Sequence, residues 1–518
     1  RLAPDGRHIA FENGHQMYLA AAAPTAGKTL VLDDPRPAFP IVRLSRVGGD
    51  YLNWNATGSA VVWSTGPTLN TVTVADAMRA DFTPPEDGVD LSMRVASARP
   101  ATRLALTNAR VVTLNSEREV IDGGTVLLEG NRICAVGGAS LAIPEGFRTV
   151  DLGGKTLVPG FVDIHAHGPY GRADIIPQQN WDLLAHLALG VTTVHNPSSV
   201  ASQVFAAAEY ARAGRILGPR IFSTAEIIYG AKSTYYSPVE TLDDALAHVR
   251  RLKAQGAVTV KNYNQPRRDQ RQMVIEASRR EGLMPVAEGG ALYHMDMNLI
   301  GDGITGVEHN VPALRLYEDV LQYWRQSEAG YTPTLVVTFG GLTSEDYYYQ
   351  DTEVWKHPLL ANFVPPAVLQ PRSVRRPMAP EADYRDDDAA AAAKGLLDAG
   401  ILVNTGGHGQ REGLATHWEM WSFVRGGFSP MEALAAATIN PARYLGMDGD
   451  IGSLEPGKLA DLVIIDGNPL EDIRQTDRIS HVVLNGRVYA AESLSEVFTG
   501  DSTLQPFYWQ GRPESAIR

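Results

Sequence analysis

His165 and His167, one residue apart, close the apolar stretch PGFVDIHAH. Side chains along a strand alternate between its two faces, so an H-x-H pair sends both imidazoles to the same side. Two imidazoles held side by side can chelate one divalent ion, and such nitrogen donors suit zinc. A lone core histidine is usually structural, whereas a pair at a strand end predicts a metal site. Asp163 shares that face but lies deeper, which predicts a structural role.

A site of this kind needs a scaffold of strands. Candidate strands run over 161–167, 191–195, 220–228, 258–262, 284–288, 306–309, 332–338 and 401–404. Candidate helices intervene, among them Leu242–Gln255, with Thr241 and Asp244 as a capping pair, and 387–398. Eight strand–helix steps over about 290 residues predict an α/β chain with a TIM-type (β/α)8 barrel, whose site lies at the C-terminal ends of the strands. A doubly wound sheet is the rival that strand count alone does not exclude. Residues 339–380, carrying Tyr347, Tyr348, Tyr349, Trp355, Arg375 and Arg376, form a connection of a length typical of functional lids or of disordered segments, and on a barrel it would fall on the catalytic face.

The barrel is assigned to 158–445. Residues 103–157 and 446–490 are strand-rich, as in GTVLLEGNRICAVGG and GKLADLVIIDGNPL, and 491–518 form a C-terminal tail. Over 1–75, LAPDGRHIAF with QMYLAA is echoed by WNATGSAVVW with NTVTV, each a polar turn between alternating segments. This resembles blades of a TolB-like β-propeller, although two blades do not close one. An unrelated pair of hairpins is the plainer alternative, and 76–102 reads as a linker.

At 518 residues the chain exceeds what one core usually serves. A net charge of −13 argues against nucleic acid or an anionic membrane as partner. No apolar run reaches the length of a membrane-spanning helix. With Cys134 alone, neither an intrachain disulfide nor a multi-cysteine metal site can form. The chain opens at Arg1 without a signal-peptide pattern, which predicts a fragment or processed product.

The stretch LVPGFVDIHAHG, with GSLEPGKLADLVIID far downstream, resembles the amidohydrolase superfamily over roughly 104–490. VTVKNYNQPRRDQRQMVIEA, VAEGG, GVEHN and GGHGQREGLATHWEMW look like the amidohydrolase half of TolB-like propeller–amidohydrolase fusions, with imidazolonepropionase-like and dipeptidase-like relatives. The resemblance implies a small composite β-sandwich built from both flanks of the barrel, and export to the periplasm. It implies one or two divalent ions, with zinc the expected metal, held by His165, His167, Lys261, Glu288 and His309. Lys261 stands where binuclear relatives carry a lysine carboxylated by CO₂, a modification that needs a neutral amine; a substrate-binding lysine is the alternative. Glu288 stands where most relatives place a histidine.

The eighth candidate strand departs from the family. Relatives end it with an aspartate that ligates metal and accepts the water's proton, and this chain reads ILVNTGGHGQRE. His408 is the nearest titratable replacement, as catalytic base or as ligand; a plain loop histidine is the alternative. Tyr263, Arg411, His195 and His417 are candidates for substrate binding, with a surface or supporting role as the alternative for each.

Hydrolysis of a C–N bond in a small molecule or short peptide is the leading expectation, and a homo-oligomer is compatible with it. A catalytically impaired propeller–barrel binding protein is the second reading. A metal-dependent lyase or isomerase is the third, because fold does not fix reaction.

Overall fold

The computed structural model describes residues 1–22, 29–32, 39–173, 175–231, 236–289, 291–373 and 375–510. Two compact units emerge. One joins Arg1–Val95 with Ser198–Ser202 and Ser223–Val286, and the other joins Ala96–Pro197 with Gln203–Phe222 and the chain from Ala287 onward.

In the first unit, His8–Asn13, Gln16–Ala21 and Ile41–Arg43 form a three-stranded sheet. Asn13 pairs directly with Gln16, so only Gly14 and His15 turn the chain, at φ +55° and +66°. Two positive φ values are what a type I′ hairpin turn requires. Asp50–Trp54, Ala60–Thr65, Thr68–Thr73 and Val89–Asp90 make a four-stranded sheet. Met17, Leu19, Leu44, Val61 and Trp63 are buried together in this region. Part of the segment read as a linker is therefore a strand, since Val89 pairs with Leu69.

The later part of the same unit holds Ile228–Tyr229 parallel to Thr259–Tyr263. Leu242–Gln255 is helical, and Thr241 and Asp244 form the expected capping box. Arg251 on that helix is fully buried, with its guanidinium 3.2 Å from Glu226. Burial, then the Arg251 charge, lowers His248 to about 4, so its ring is neutral beside the guanidinium.

In the second unit, strands from both flanks of the barrel region meet in one nine-stranded sheet. Thr156–Pro159 runs antiparallel to Leu462–Ile465 and joins the two segments. Leu104, Leu106, Val126, Leu157, Leu462, Ile464 and Val483 fill its core, each contributing roughly 1.5–3 kcal/mol by leaving water. No disulfide adds to that core, since Cys134, the chain's single cysteine, is an exposed free thiol.

Phe161–Asp163 lies parallel to Val191–Asn196, and Gly306–Glu308 parallel to Gly330–Thr332. The helices Asp386–Asp398 and Leu414–Arg425 follow. This alternation is an α/β arrangement consistent with a (β/α)8 barrel beside a β-rich domain.

Three expectations need correction. The strand expected over 161–167 stops at Asp163, so the histidine pair lies in the loop beyond it. The strand expected over 332–338 stops at Thr332, because Pro333 has no N–H for a ladder and Thr334 turns left-handed at φ +46°. At 401–404 only one parallel bridge forms, Tyr331 to Val403. The long connection is itself helical, with Ser344–Asp351, Pro358–Phe363 and Pro366–Leu369. Among the described residues, no helix is long and apolar enough to cross a membrane.

Candidate metal centre

Asp163 ends the strand on which the centre is built. Its buried carboxylate accepts the N–H of His165 at 3.1 Å, the N–H of Gly407 at 3.0 Å and the hydroxyl of Thr416 at 2.7 Å. It thereby fixes the histidine loop to the GGHG loop and to the start of the helix Leu414–Arg425. The role is structural, as the sequence suggested. The N–H of His408 also donates to the carbonyl of His165 at 2.7 Å. Approach this close explains two glycines: a Cβ at Gly406 would sit 2.7 Å from His165 Cβ, and one at Gly409 would sit 2.4 Å from the His167 carbonyl oxygen.

Four imidazoles converge there. The ring of His165 lies 5.0 Å from His167, 5.0 Å from His309 and 5.1 Å from His408, centroid to centroid. Donor atoms fall into two triads that share His165: His165 with His167 and His408, and His165 with Glu288 and His309, each within 4.8 Å of one another. His309 and His408 adopt φ +70° and +57°. Such left-handed conformations are uncommon outside glycine and cluster at functional sites.

Each ring has its Nδ1 held by an oxygen. His165 Nδ1 lies 2.6 Å from Glu308 Oε2, and the other oxygen of Glu308 accepts the Tyr444 hydroxyl at 3.2 Å. His167 Nδ1 is 3.1 Å from Asn196 Oδ1, and His408 Nδ1 is 3.1 Å from Gln410 Oε1. The Thr334 hydroxyl donates to the Pro333 carbonyl at 2.8 Å and so receives His309 Nδ1–H at 2.5 Å. Oxygen partners at Nδ1 favour the tautomer with its proton there and its lone pair on Nε2, the arrangement of metal-binding histidines. His309 Nε2 lies 3.3 Å from Glu288 Oε1. Two acceptor atoms at that separation repel unless a proton or a metal cation lies between them. Nitrogen and carboxylate donors of this kind fit a divalent ion such as zinc.

The sequence did not single out these outer oxygens. Glu308, inside GVEHN beside His309, and Gln410, two residues past His408, lie within reach of a motif; Thr334 is brought in only by the kink at Pro333. Glu308→Gln keeps an oxygen near His165 but loses the carboxylate charge. Zinc affinity should fall about 10–100-fold, measured by chelator competition, and unchanged affinity would remove Glu308 from this role.

Glu419 was also missed. It is fully buried, and burial raises its carboxyl from the usual 4.5 to about 8, against the Leu335 and Val336 N–H groups. Its Oε1 accepts the Val336 N–H at 2.7 Å. Protonated, it favours the fold fully below pH 4.5, and this stabilisation is lost as pH rises through about 8. Glu419→Gln should therefore flatten the fall in stability between those values, by an amount on the order of a few kcal/mol. Denaturation midpoints of parent and variant at pH 5 and pH 8 check this.

The remaining candidates are placed as follows. Lys261 and Tyr263 lie in the first unit, Lys261 buried at 3 % exposure with Nζ 5.1 Å from the Tyr263 ring centroid. His195 is buried and its Nδ1–H donates to the Ile164 carbonyl at 2.9 Å, which steadies the histidine loop. The guanidinium of Arg411 is taken up by its neighbour Glu412, Nε to Oε2 at 3.0 Å. His417 is fully buried, donates Nε2–H to the Leu189 carbonyl at 2.9 Å and is held at about 4 by burial. Neither Arg411 nor His417 belongs to either donor triad.

Known proteins share this architecture. The chain is 25% identical over 429 residues to a 5-methylthioadenosine/S-adenosylhomocysteine deaminase of Syntrophobacter fumaroxidans, covering 75% of this chain and 89% of that one. It is 25% identical over 414 residues to the Bacillus thuringiensis protein of the same name, covering 74% and 89%. Among solved structures, a Xaa-Pro dipeptidase with bound methionine superposes at TM-score 0.59 with 19% identity, covering 75% of this chain and all of that one. Phenylurea hydrolase B superposes at 0.58 with 21% identity, covering 77% of this chain and 100% of that one. The model of the amidohydrolase family matches residues 156–489, a span that includes His165, His167, Lys261, Glu288, His309 and His408. By that match over more than half its length, the chain belongs to the amidohydrolase family, enzymes that act on C–N bonds.

Proposed function

We propose that this protein hydrolyses a C–N bond of a small molecule or short peptide at a centre formed by His165, His167, Glu288, His309 and His408. One observation carries the reading: two donor triads share His165, and all four of their histidines have Nδ1 fixed by an oxygen. Zinc or a similar ion bound there would lower the pKa of a water towards neutrality and stabilise the oxyanion formed at the attacked carbon. The protein's part is to hold the donors of each triad close together, with Glu288 as the carboxylate of the second. We assign His408 as a donor, standing where relatives carry an aspartate, because its ring lies 4.9 Å from His167 and 5.0 Å from His309.

The two kinds of relative suggest the panel for a test. Zinc-loaded protein is offered 5′-methylthioadenosine, S-adenosylhomocysteine, Xaa-Pro dipeptides and N-acyl amino acids, with release of ammonia or amino acid followed in ¹⁸O-labelled water. Label in the product supports hydrolysis. Turnover without label indicates a lyase or isomerase, and full metal content without turnover on any member favours the binding-protein reading.

Lys261 remains our candidate for carboxylation, supported by its burial and its place on the strand Thr259–Tyr263. Native mass spectrometry should show one added CO₂, and Lys261→Ala should lose at least one metal, with partial rescue by short carboxylic acids. Unmodified lysine in a fully loaded, active protein would overturn the assignment. We read the N-terminal sheets as TolB-like blades, on their paired-hairpin pattern.

A further inference from the structure

The helix Ser344–Asp351 of the long connection reaches His408 through the side chain of Gln410. Gln410 lies between His408 and the helix Ser344–Asp351: its Oε1 is 3.1 Å from His408 Nδ1, and its Nε2 donates to Glu345 Oε1 at 3.1 Å. Glu345 is buried at 3 % exposure. The same Oε1 lies 2.7 Å from Arg372 Nη1, and Arg372 also stacks over the Tyr349 ring at 4.9 Å. Glu345, Tyr349 and Arg372 all belong to the connection of 339–380.

The order of donors in this array is forced. A carboxylate only accepts, so Gln410 must turn its NH₂ to Glu345 and its carbonyl to His408. That carbonyl then needs the proton on His408 Nδ1, which leaves the lone pair on Nε2. Glu345 thereby sets the tautomer of a histidine it does not touch.

We propose that Gln410 and Glu345 are positioning residues through which the helical lid orients His408 for metal binding. The proposal rests on the assignment of His408 as a donor. It implies that metal affinity depends on how the lid is seated, because withdrawal of Glu345 frees the Gln410 amide to rotate and the ring with it.

Zinc affinity is measured for the full chain by competition with a chromophoric chelator at fixed pH, with the melting temperature of the metal-free protein in parallel. Gln410→Leu should weaken zinc about 10–100-fold, the usual effect of removing a hydrogen-bond partner of a metal ligand. Gln410→Glu should weaken it too, by opposing two carboxylates. Combined with Glu345→Gln, it should recover to within a few-fold of the parent, since a carboxylate at 410 accepts from both His408 and the amide at 345. In a His408→Ala background, Gln410→Leu should have no further effect.

Parental affinity in Gln410→Leu, with zinc lost in His408→Ala, would overturn the proposal and leave the donor assignment standing. Parental affinity in His408→Ala would overturn that assignment and the proposal with it. A loss that tracks a lowered metal-free melting temperature, with no recovery in the combined variant, would reduce both residues to packing and also overturn it.

Discussion

Substituting His165 and His167 together by Ala is expected to strip the protein of metal and to lower kcat/KM by about 10³-fold or more. His165 is common to both donor triads, so no three-donor set survives its removal. What remains is Glu288 with His309, and His408. Stabilisation of developing charge by a catalytic ion is worth several kcal/mol, and each 1.36 kcal/mol is tenfold in rate. The change also has a structural cost that must be separated from the chemical one. Glu308, at 3 % exposure, loses its partner at 2.6 Å and keeps the Tyr444 hydroxyl, which costs about 1–3 kcal/mol of stability. His167→Ala alone leaves the Glu308 pair and the triad of His165, Glu288 and His309 intact, so it should lose less metal than the double variant while its melting temperature stays closer to the parent. Metal content is read by elemental analysis after dialysis. Undiminished metal in the double variant would remove the centre from this place.

Much of the scaffold was legible in the sequence because local signals and tertiary outcome agree. The helix Leu242–Gln255 carries its capping pair, its apolar periodicity and a terminal glycine in one segment, and all are realised. The strand Met284–Glu288 has a short apolar run set between Gly282 and Gly289, and Val191–Asn196 is rich in β-branched residues and follows Gly190. Legibility fails where the chain departs from regular φ and ψ to make the centre. Strand alternation correctly sends His165 and His167 to one cluster, yet the strand has already ended at Asp163. Glu308 and His309 are adjacent, which alternation would send to opposite faces; His309 leaves the strand at φ +70°, and both reach His165. Thr334 and Glu345 enter through contacts between distant segments, which no local pattern encodes. The long connection was recognised by length, whereas its helices were not, because Tyr347–Tyr349 and the prolines Pro358, Pro365 and Pro366 obscure their periodicity.

His408→Asn addresses the position at which this chain differs most from its family. Asn is the informative replacement because it tolerates the left-handed conformation held here at φ +57°, so the backbone bond to the His165 carbonyl at 2.7 Å is kept. The side chain is too short to reproduce the reach of Nε2 while Gln410 holds the other end. If His408 donates to the ion, zinc affinity should fall by more than the 10–100-fold typical of an outer hydrogen-bond partner, and activity should fall in step with occupancy. Excess zinc should then restore part of the activity. A base would behave differently: kcat would drop roughly 10²–10⁴-fold at constant metal content, and no excess of zinc would restore it. Paired titrations of metal content and rate across zinc concentration distinguish the two. Full metal with a depressed rate would return His408 to the role of proton acceptor, and full metal with a full rate would make it a loop residue. In the first case Glu288 keeps its place as donor; in the second, His165 and His167 need a different third partner.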